Sequence, residues 1–285
     1  MSRHSISKSL IYRALFVLIA IMALSSGEPL SAKKKPKDKG KSSQSVPGLP
    51  SPMPIQSMVD ERGPKIDQPS INMIRSRSTD SNGKTGIDVS HYQHSINWSE
   101  VSKDTKVTFA IIKATEASDF VDNRYHYNIR EARRNGIPVG SYHFYRANVD
   151  PELQFRNMMR NIDPTQQDIL PVIDVEQTNG VSYDLFLSRL ERLCEMVYHE
   201  YGERPIIYTG KNFFSKYFNS TRWRHYKFWI AAYTPIQPEL AGERDYIMWQ
   251  YTDNSRIKGI SGAVDRSCFV YGHTIEDIRY HGKRR

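Results

Sequence analysis

DILPVIDVE, residues Asp168–Glu176, is an apolar run closed by two carboxylates, and an amphipathic stretch, Ser182–Glu200, follows it. A short run rich in β-branched residues reads as a strand. Leu185, Phe186, Leu190, Leu193, Met196 and Val197 recur at helical spacing, so the next stretch reads as a helix, with Gly202 to end it. The same texture extends upstream. GIDVS (Gly86–Ser90) and TFAIIKAT (Thr108–Thr115) read as strands, Arg124–Asn135 as a helix stopped by Gly136, and IPVGSYHFY (Ile137–Tyr145) as a strand. Pro151–Asn161 reads as a helix whose leading proline sits where a missing N–H does no harm. Downstream come PIIYTG (Pro205–Gly210), a helical patch at Asn212–Phe218, KFWIAAY (Lys227–Tyr233), YIMWQYT (Tyr246–Thr252) and AVDRSCF (Ala263–Phe269). Strand segments separated first by helices and later by short loops predict an α/β fold, an irregular TIM-like β/α barrel. An open doubly wound sheet is the alternative.

The two carboxylates are the first chemical signal. On a strand, side chains two apart leave the same face, so Asp174 and Glu176 point together. Two negative groups brought together in a low dielectric raise the proton affinity of one of them. A carboxylic acid that keeps its proton can protonate a glycosidic oxygen while an ionised neighbour steadies positive charge on the sugar. Asp-x-Glu is common by chance, and a salt-bridged structural pair is the plain alternative. Asp88 in GIDVS, Glu116 after FAIIKAT and Asp265 in AVDRSCF are acids in comparable places. If their strands are parallel members of one barrel, their C-terminal ends share the rim where barrel active sites gather.

Aromatic and amide side chains lie close by in sequence: Tyr92, Tyr142, His143, Tyr208, Trp229, Tyr233 and Gln250. Sugar rings stack on aromatic faces and need hydrogen-bond partners at their edges. With Glu116, these residues form the expected substrate-binding set, whereas Trp98 and Phe109 read as packing residues. Nothing in the chain has a phosphate-cradling glycine loop, a zinc-ligand spacing or a Gly-x-Ser-x-Gly elbow, and no cofactor or metal is expected.

The net charge of +9 belongs mainly to the N-terminal arm, where residues 1–83 hold 13 Lys/Arg against 6 Asp/Glu. The remainder is nearly neutral, which argues against a nucleic-acid partner. Arg3, Lys8 and Arg13 precede the apolar stretch Ala14–Leu24. Residues 1–32 therefore read as a signal peptide, ending at Leu30-Ser31-Ala32, or as an N-terminal membrane anchor. Residues 33–83, rich in Lys, Pro and Ser, read as a flexible basic linker, and residues 84–285 as the barrel domain. Export is expected on either reading of the first segment, to the cell envelope, the periplasm or the outside. Cys194 and Cys268, the only cysteines, define no framework; a buried Cys194 thiol is expected, and a bond between the two stays open. Oligomeric state is not written in the sequence, and a monomer is the default expectation.

The ordered set GIDVSHYQHSINW, FAIIKATE, GSYHFY, LPVIDVE, WIAAY, a late WQYT and a final VD resembles glycoside hydrolase family 25, the N-acetylmuramidase-type lysozymes, from about Gly86 to Phe269. The resemblance implies hydrolysis of the β-1,4 bond between N-acetylmuramic acid and N-acetylglucosamine, with peptidoglycan strands as the partner. It implies Glu176 as proton donor, Asp174 assisting, further acids at Asp88 and Asp265, and groove roles near Tyr142 and Trp229. The alternatives are another N-acetylated glycan, or a non-catalytic wall-binding module. A substrate-assisted retaining course, direct attack by an aspartate and an inverting water are all open, because sequence spacing does not fix carboxyl separation: roughly 5–5.5 Å serves direct retention and roughly 6.5–9.5 Å inversion. The chain departs from the family pattern at Ala117, where glycine is usual, and at Ser267, where asparagine is usual.

Overall fold

A glycine makes the seam where the barrel closes. In a computed structural model, which describes residues 84–270 and 272–282, strand β1 (Thr85–Val89) runs parallel to β2 (Val107–Glu116). A Cβ on Gly86 would lie 2.1 Å from the Phe109 ring, so only glycine lets the buried aromatic cross the seam. From β2 the sheet continues through β4 (Val139–Phe144), β5 (Val172–Asp174), β6 (Ile206–Gly210), β7 (Phe228–Ala231), β8 (Met248–Ser255) and β9 (Val264–Phe269), and β9 returns to β1. A two-residue strand, β3 (Phe120–Val121), folds back on the end of β2. Apart from β3, which is antiparallel to β2, neighbours from β1 to β8 pair in parallel, whereas β9 is antiparallel to both of its neighbours.

Helices cover the early crossings and thin out later, as expected. They are α1 (Trp98–Val101), α2 (Tyr125–Arg134), α3 (Pro151–Asn161), α4 (Tyr183–Tyr201) and α5 (Lys211–Tyr217); no α-helix joins β7 to β8. Helix α3 starts with Pro151 behind an Asp150 cap, and α4 runs from a Ser182 cap to Gly202 at φ 75°. The buried stripe of α4 differs from the expected one. Leu187, Cys194 and Tyr201 join Phe186, Leu190, Leu193 and Val197 inside, while Leu185 is exposed in the first turn and Met196 is half-buried. Trp98 and Phe109 are core residues, and Trp98 also donates to Asn128 Oδ1 of α2 at 3.1 Å.

Strand β5 is shorter than DILPVIDVE. Pro171 has no N–H to give, and the backbone N–H groups of Asp168 and Ile169 go to Val139, while that of Leu170 goes to Ile278 near the C-terminus. Cys194 and Cys268 are buried thiols with no bond between them. Among the described residues no helix is long and apolar enough to cross a membrane. The expected signal or anchor (1–32) and the linker (33–83) lie outside the described residues.

Candidate active site

Asp174 is the last residue of β5, yet the chain stays extended beyond it. Tyr145 N–H donates to the Asp174 carbonyl, and Val175 N–H donates to the Tyr208 carbonyl, both at 2.9 Å. Strand alternation therefore carries past the strand's end, and Asp174 and Glu176 open into one cavity of about 210 Å³. Asp174 sits at its floor, 7% exposed, while Glu176 is exposed at its wall. Asp88 and Asp265 line the same cavity. They are directly opposed across the β1–β9 ladder. Because β9 runs antiparallel, its first residues, not its last, reach the rim where the parallel strands end.

Four carboxyls in one concavity cannot all ionise without cost. Burial and then Glu176 push the Asp174 carboxyl well above the usual carboxylate range. Although Glu176 reaches solvent, the protein packed around its carboxyl desolvates it and raises its pKa, against the pull of the Lys113 and Arg146 cations. Asp88 is raised well above its ordinary value by burial and by Asp265, and burial lifts Asp265 to about 6. The sequence expectation was one neutral acid beside one charged neighbour; in the free cleft both members of the pair are pushed toward the protonated form. Asp174 Oδ1 is buried without a hydrogen-bond partner, so the protein itself supplies no donor to hold an anion there.

The polar wall is ordered through one amide. Tyr208 and Tyr233 each donate to Gln250 Oε1 at 2.9 Å, and Gln250 Nε2 donates to Asp88 Oδ2 at 3.0 Å. Two hydroxyl donors on one side fix which end of the amide is oxygen. Trp229 packs edge-on against Tyr208, with centroids 4.6 Å apart, and its indole N–H donates to Ser267 Oγ at 3.0 Å. Tyr92 and Tyr233 are more than half exposed at the mouth, and Tyr142 lies deeper.

Ten of the twelve expected site residues thus line one cavity: Asp88, Asp174, Glu176, Asp265, Tyr92, Tyr142, Tyr208, Trp229, Tyr233 and Gln250. His143 and Glu116 do not. Tyr142 and Phe144 face the cavity, so His143 between them faces outward, buried against Thr115 Oγ1 (2.8 Å) and Gln154 Oε1 (3.1 Å). Burial lowers its pKa to about 4, which keeps the buried imidazole uncharged near neutral pH. Glu116 is occupied by two cations, Lys113 at 2.7 Å and Arg146 at 2.6 Å. Lys113, Phe144 and Val172 line the cavity and were not anticipated. Lys113 carried a signal: a lysine inside an apolar strand is almost never buried unless paired.

The two departures lie off the cavity lining. Ala117 holds φ 50°, the left-handed region that favours glycine, at the turn between β2 and β3. Ser267 is turned to the Trp229 indole.

Comparison with known proteins agrees with this geometry. The model of the family described as "Glycosyl hydrolases family 25" matches residues 87–260. The chain is 33% identical over 202 residues to the Escherichia coli (strain K12) protein YegX, covering 68% of this chain and 71% of the relative. It is 34% identical over 203 residues to lysozyme M1 of Streptomyces globisporus, covering 67% and 69%. A solved family 25 glycosyl hydrolase from Bacillus anthracis superposes with a TM-score of 0.61 at 30% identity, over 68% of this chain and 91% of that one.

Proposed function

This chain belongs to glycosyl hydrolase family 25 and is a lysozyme-type hydrolase of peptidoglycan-like glycan, and from that premise we propose that it cuts the β-1,4 bond between N-acetylmuramic acid and N-acetylglucosamine, with Glu176 as acid/base and Asp174 as its partner. The observation that carries this reading is the buried, unpartnered Oδ1 of Asp174 in the cavity that also holds the exposed Glu176 carboxyl. The missing donor is what the N–H of a 2-acetamido group would bring. Accepting that N–H favours the ionised form of Asp174, whose proton passes to solvent, while Glu176 keeps the proton needed for chemistry.

In this mechanism Glu176 gives its proton to the leaving glycosidic oxygen as the C–O bond breaks. The acetamido oxygen attacks the anomeric carbon while Asp174 accepts the acetamido N–H and steadies its growing positive charge. Glu176, now ionised, takes a proton from water; that water opens the cyclic intermediate and restores the acetamido group with net retention. Asp88 and Asp265, holding a proton between them, and Gln250 form a polar wall without adding two full negative charges beside Asp174. Tyr92, Tyr142 and Trp229 offer aromatic surface to the sugar faces. The basic start and apolar run before residue 25 support export, with residues 33–83 as a spacer between envelope and barrel.

Reducing ends released from purified peptidoglycan by wild type and by Glu176→Gln test the assignment. Wild type is expected to release them and the variant to lose at least a hundredfold in kcat, as removal of a general acid typically does. Equal rates would end the Glu176 assignment. Fragment masses in heavy-oxygen water and anomeric NMR report the bond and the stereochemical course; initial inversion would rule out the acetamido route.

A further inference from the structure

Both carboxylate oxygens of Glu116 are filled from within the protein. Lys113 Nζ donates to Oε2 at 2.7 Å, and Arg146 donates to Oε1 through Nη2 at 2.6 Å and Nε at 2.9 Å. The other end of the guanidinium, Nη1, donates to Gln177 Oε1 at 3.0 Å, and Gln177 is the residue after Glu176. Arg146 is itself pinned, its backbone N–H and C=O bonded to the Gln154 amide at 2.9 Å each. Two residues further on, Asn179 donates to Gln177 Oε1 at 3.3 Å and accepts from Ala147 N–H at 2.8 Å. The segment leaving Glu176 therefore hangs on Arg146 and Ala147. The Glu176 carboxyl makes no hydrogen bond to any described residue, so only this segment and its strand hold it in place. Lys113 and Arg146 also flank the cavity-lining Phe144, 4.9 and 4.5 Å from its ring centroid.

We propose that Lys113, Glu116 and Arg146 form a positioning triad for the acid/base, with Arg146 fixing the Glu176 segment through Gln177 and Glu116 balancing the two cations. The proposal rests on Glu176 being the acid/base. Glu116 and Arg146 touch no substrate in it; they act through Glu176.

The charges around Glu176 give the test its signs. Lys113 and Arg146 favour its ionised form, and Glu116 and Asp265 oppose it. Asp174, Asp88 and the phenols of Tyr208 and Tyr233 also lie within its electrostatic reach. Because Glu176 must enter protonated, the alkaline limb of kcat against pH reports the loss of that proton. Arg146→Gln removes a cation and is expected to move the limb to higher pH. Glu116→Gln removes an anion, leaves both cations uncompensated, and is expected to move it to lower pH. Each shift should be on the order of half a pH unit or more. Arg146→Lys keeps the charge without the fork and should leave the limb near wild type while kcat falls roughly tenfold at unchanged KM. Damage to the fold alone would not drive two limbs in opposite directions.

The measurement is peptidoglycan hydrolysis by the full chain at a series of pH values, with thermal melts of every variant. Limbs that coincide with wild type, or that move the same way in both variants, overturn the triad. If Glu176→Gln is nevertheless inactive, the acid/base assignment stands and only the triad falls; a fully active Glu176→Gln removes both. Should Arg146→Gln fail to fold, the direction of the Glu116→Gln limb decides alone, and an unmoved or higher limb refutes the proposal.

Discussion

Replacing Asp265 by asparagine should stabilise this protein near neutral pH and should cease to do so in acid. Asp265 faces Asp88 across two strands, and burial raises its pKa to about 6. An aspartate in an unfolded chain titrates near ~3.9. A raised folded pKa means that the fold is penalised wherever the group is ionised in both states, which is above about pH 6. As pH falls through that value the folded state takes up its proton first, and the penalty disappears by roughly pH 4. A difference of about two units corresponds to about 3 kcal/mol. Asp265 is only partly buried, and solvent screening reduces the realised penalty to about 1–2 kcal/mol. Asparagine removes the charge and keeps an amide that can donate to Asp88. The expected gain at about pH 7 is therefore about 1–2 kcal/mol, or about 2–8 °C in melting temperature for a domain of this size. Urea unfolding of wild type and Asp265→Asn between about pH 4 and pH 8 measures it. No gain at neutral pH, or a gain equally large at about pH 4, would refute the reasoning that the fold bears the cost of a desolvated Asp265 carboxylate at this rim.

Two further substitutions probe the strands that carry the site. Gly86→Ala places a methyl carbon 2.1 Å from the fully buried Phe109 ring, which has nowhere to move, so a loss of about 3 kcal/mol or more in urea unfolding is expected; a loss under about 1 kcal/mol would show that the seam yields. Ala117→Gly relieves a side chain held at φ 50° and should leave stability unchanged or raise it by up to about 1 kcal/mol, because the lost strain is set against a freer unfolded chain. A loss greater than about 1 kcal/mol would mean that the Ala117 methyl packs more usefully than its backbone suggests.

What could be read from the chain followed from two periodicities. Alternation over Val172–Glu176 placed Asp174 and Glu176 together, and the helical period placed the coverings of the early crossings. The same rule, applied consistently, separates Tyr142 from His143, since neighbours on a strand face opposite ways. Glu116 was misplaced for a different reason. The register of β2 slips between Lys113 and Thr115. The slip sends Thr115 outward to His143 and lets Lys113 and Glu116 meet three residues apart. A bulge leaves no mark in composition, so its consequence was invisible. The direction of β9 was equally hidden: a strand of AVDRSCF looks alike in either sense. Its antiparallel course is what brings Asp265, near its beginning, beside Asp88, near the end of β1.

The rim concentrates negative charge, and the fold answers it unevenly. Asp88, Asp174, Glu176 and Asp265 share a cavity that a single cationic side chain, Lys113, enters. That ammonium is bound to Glu116, and the second nearby cation, Arg146, is bound to the same carboxylate. Had Glu116 been absent, both cations would have been free to pair with Asp174 and Glu176. Such pairs would hold both carboxyls ionised, and an ionised Glu176 has no proton to give. By engaging both cations, Glu116 leaves them close enough to temper the four acids and too committed to neutralise them. On the proposed mechanism the proton on Glu176 thus depends on a carboxylate, Glu116, that lies off the cavity lining.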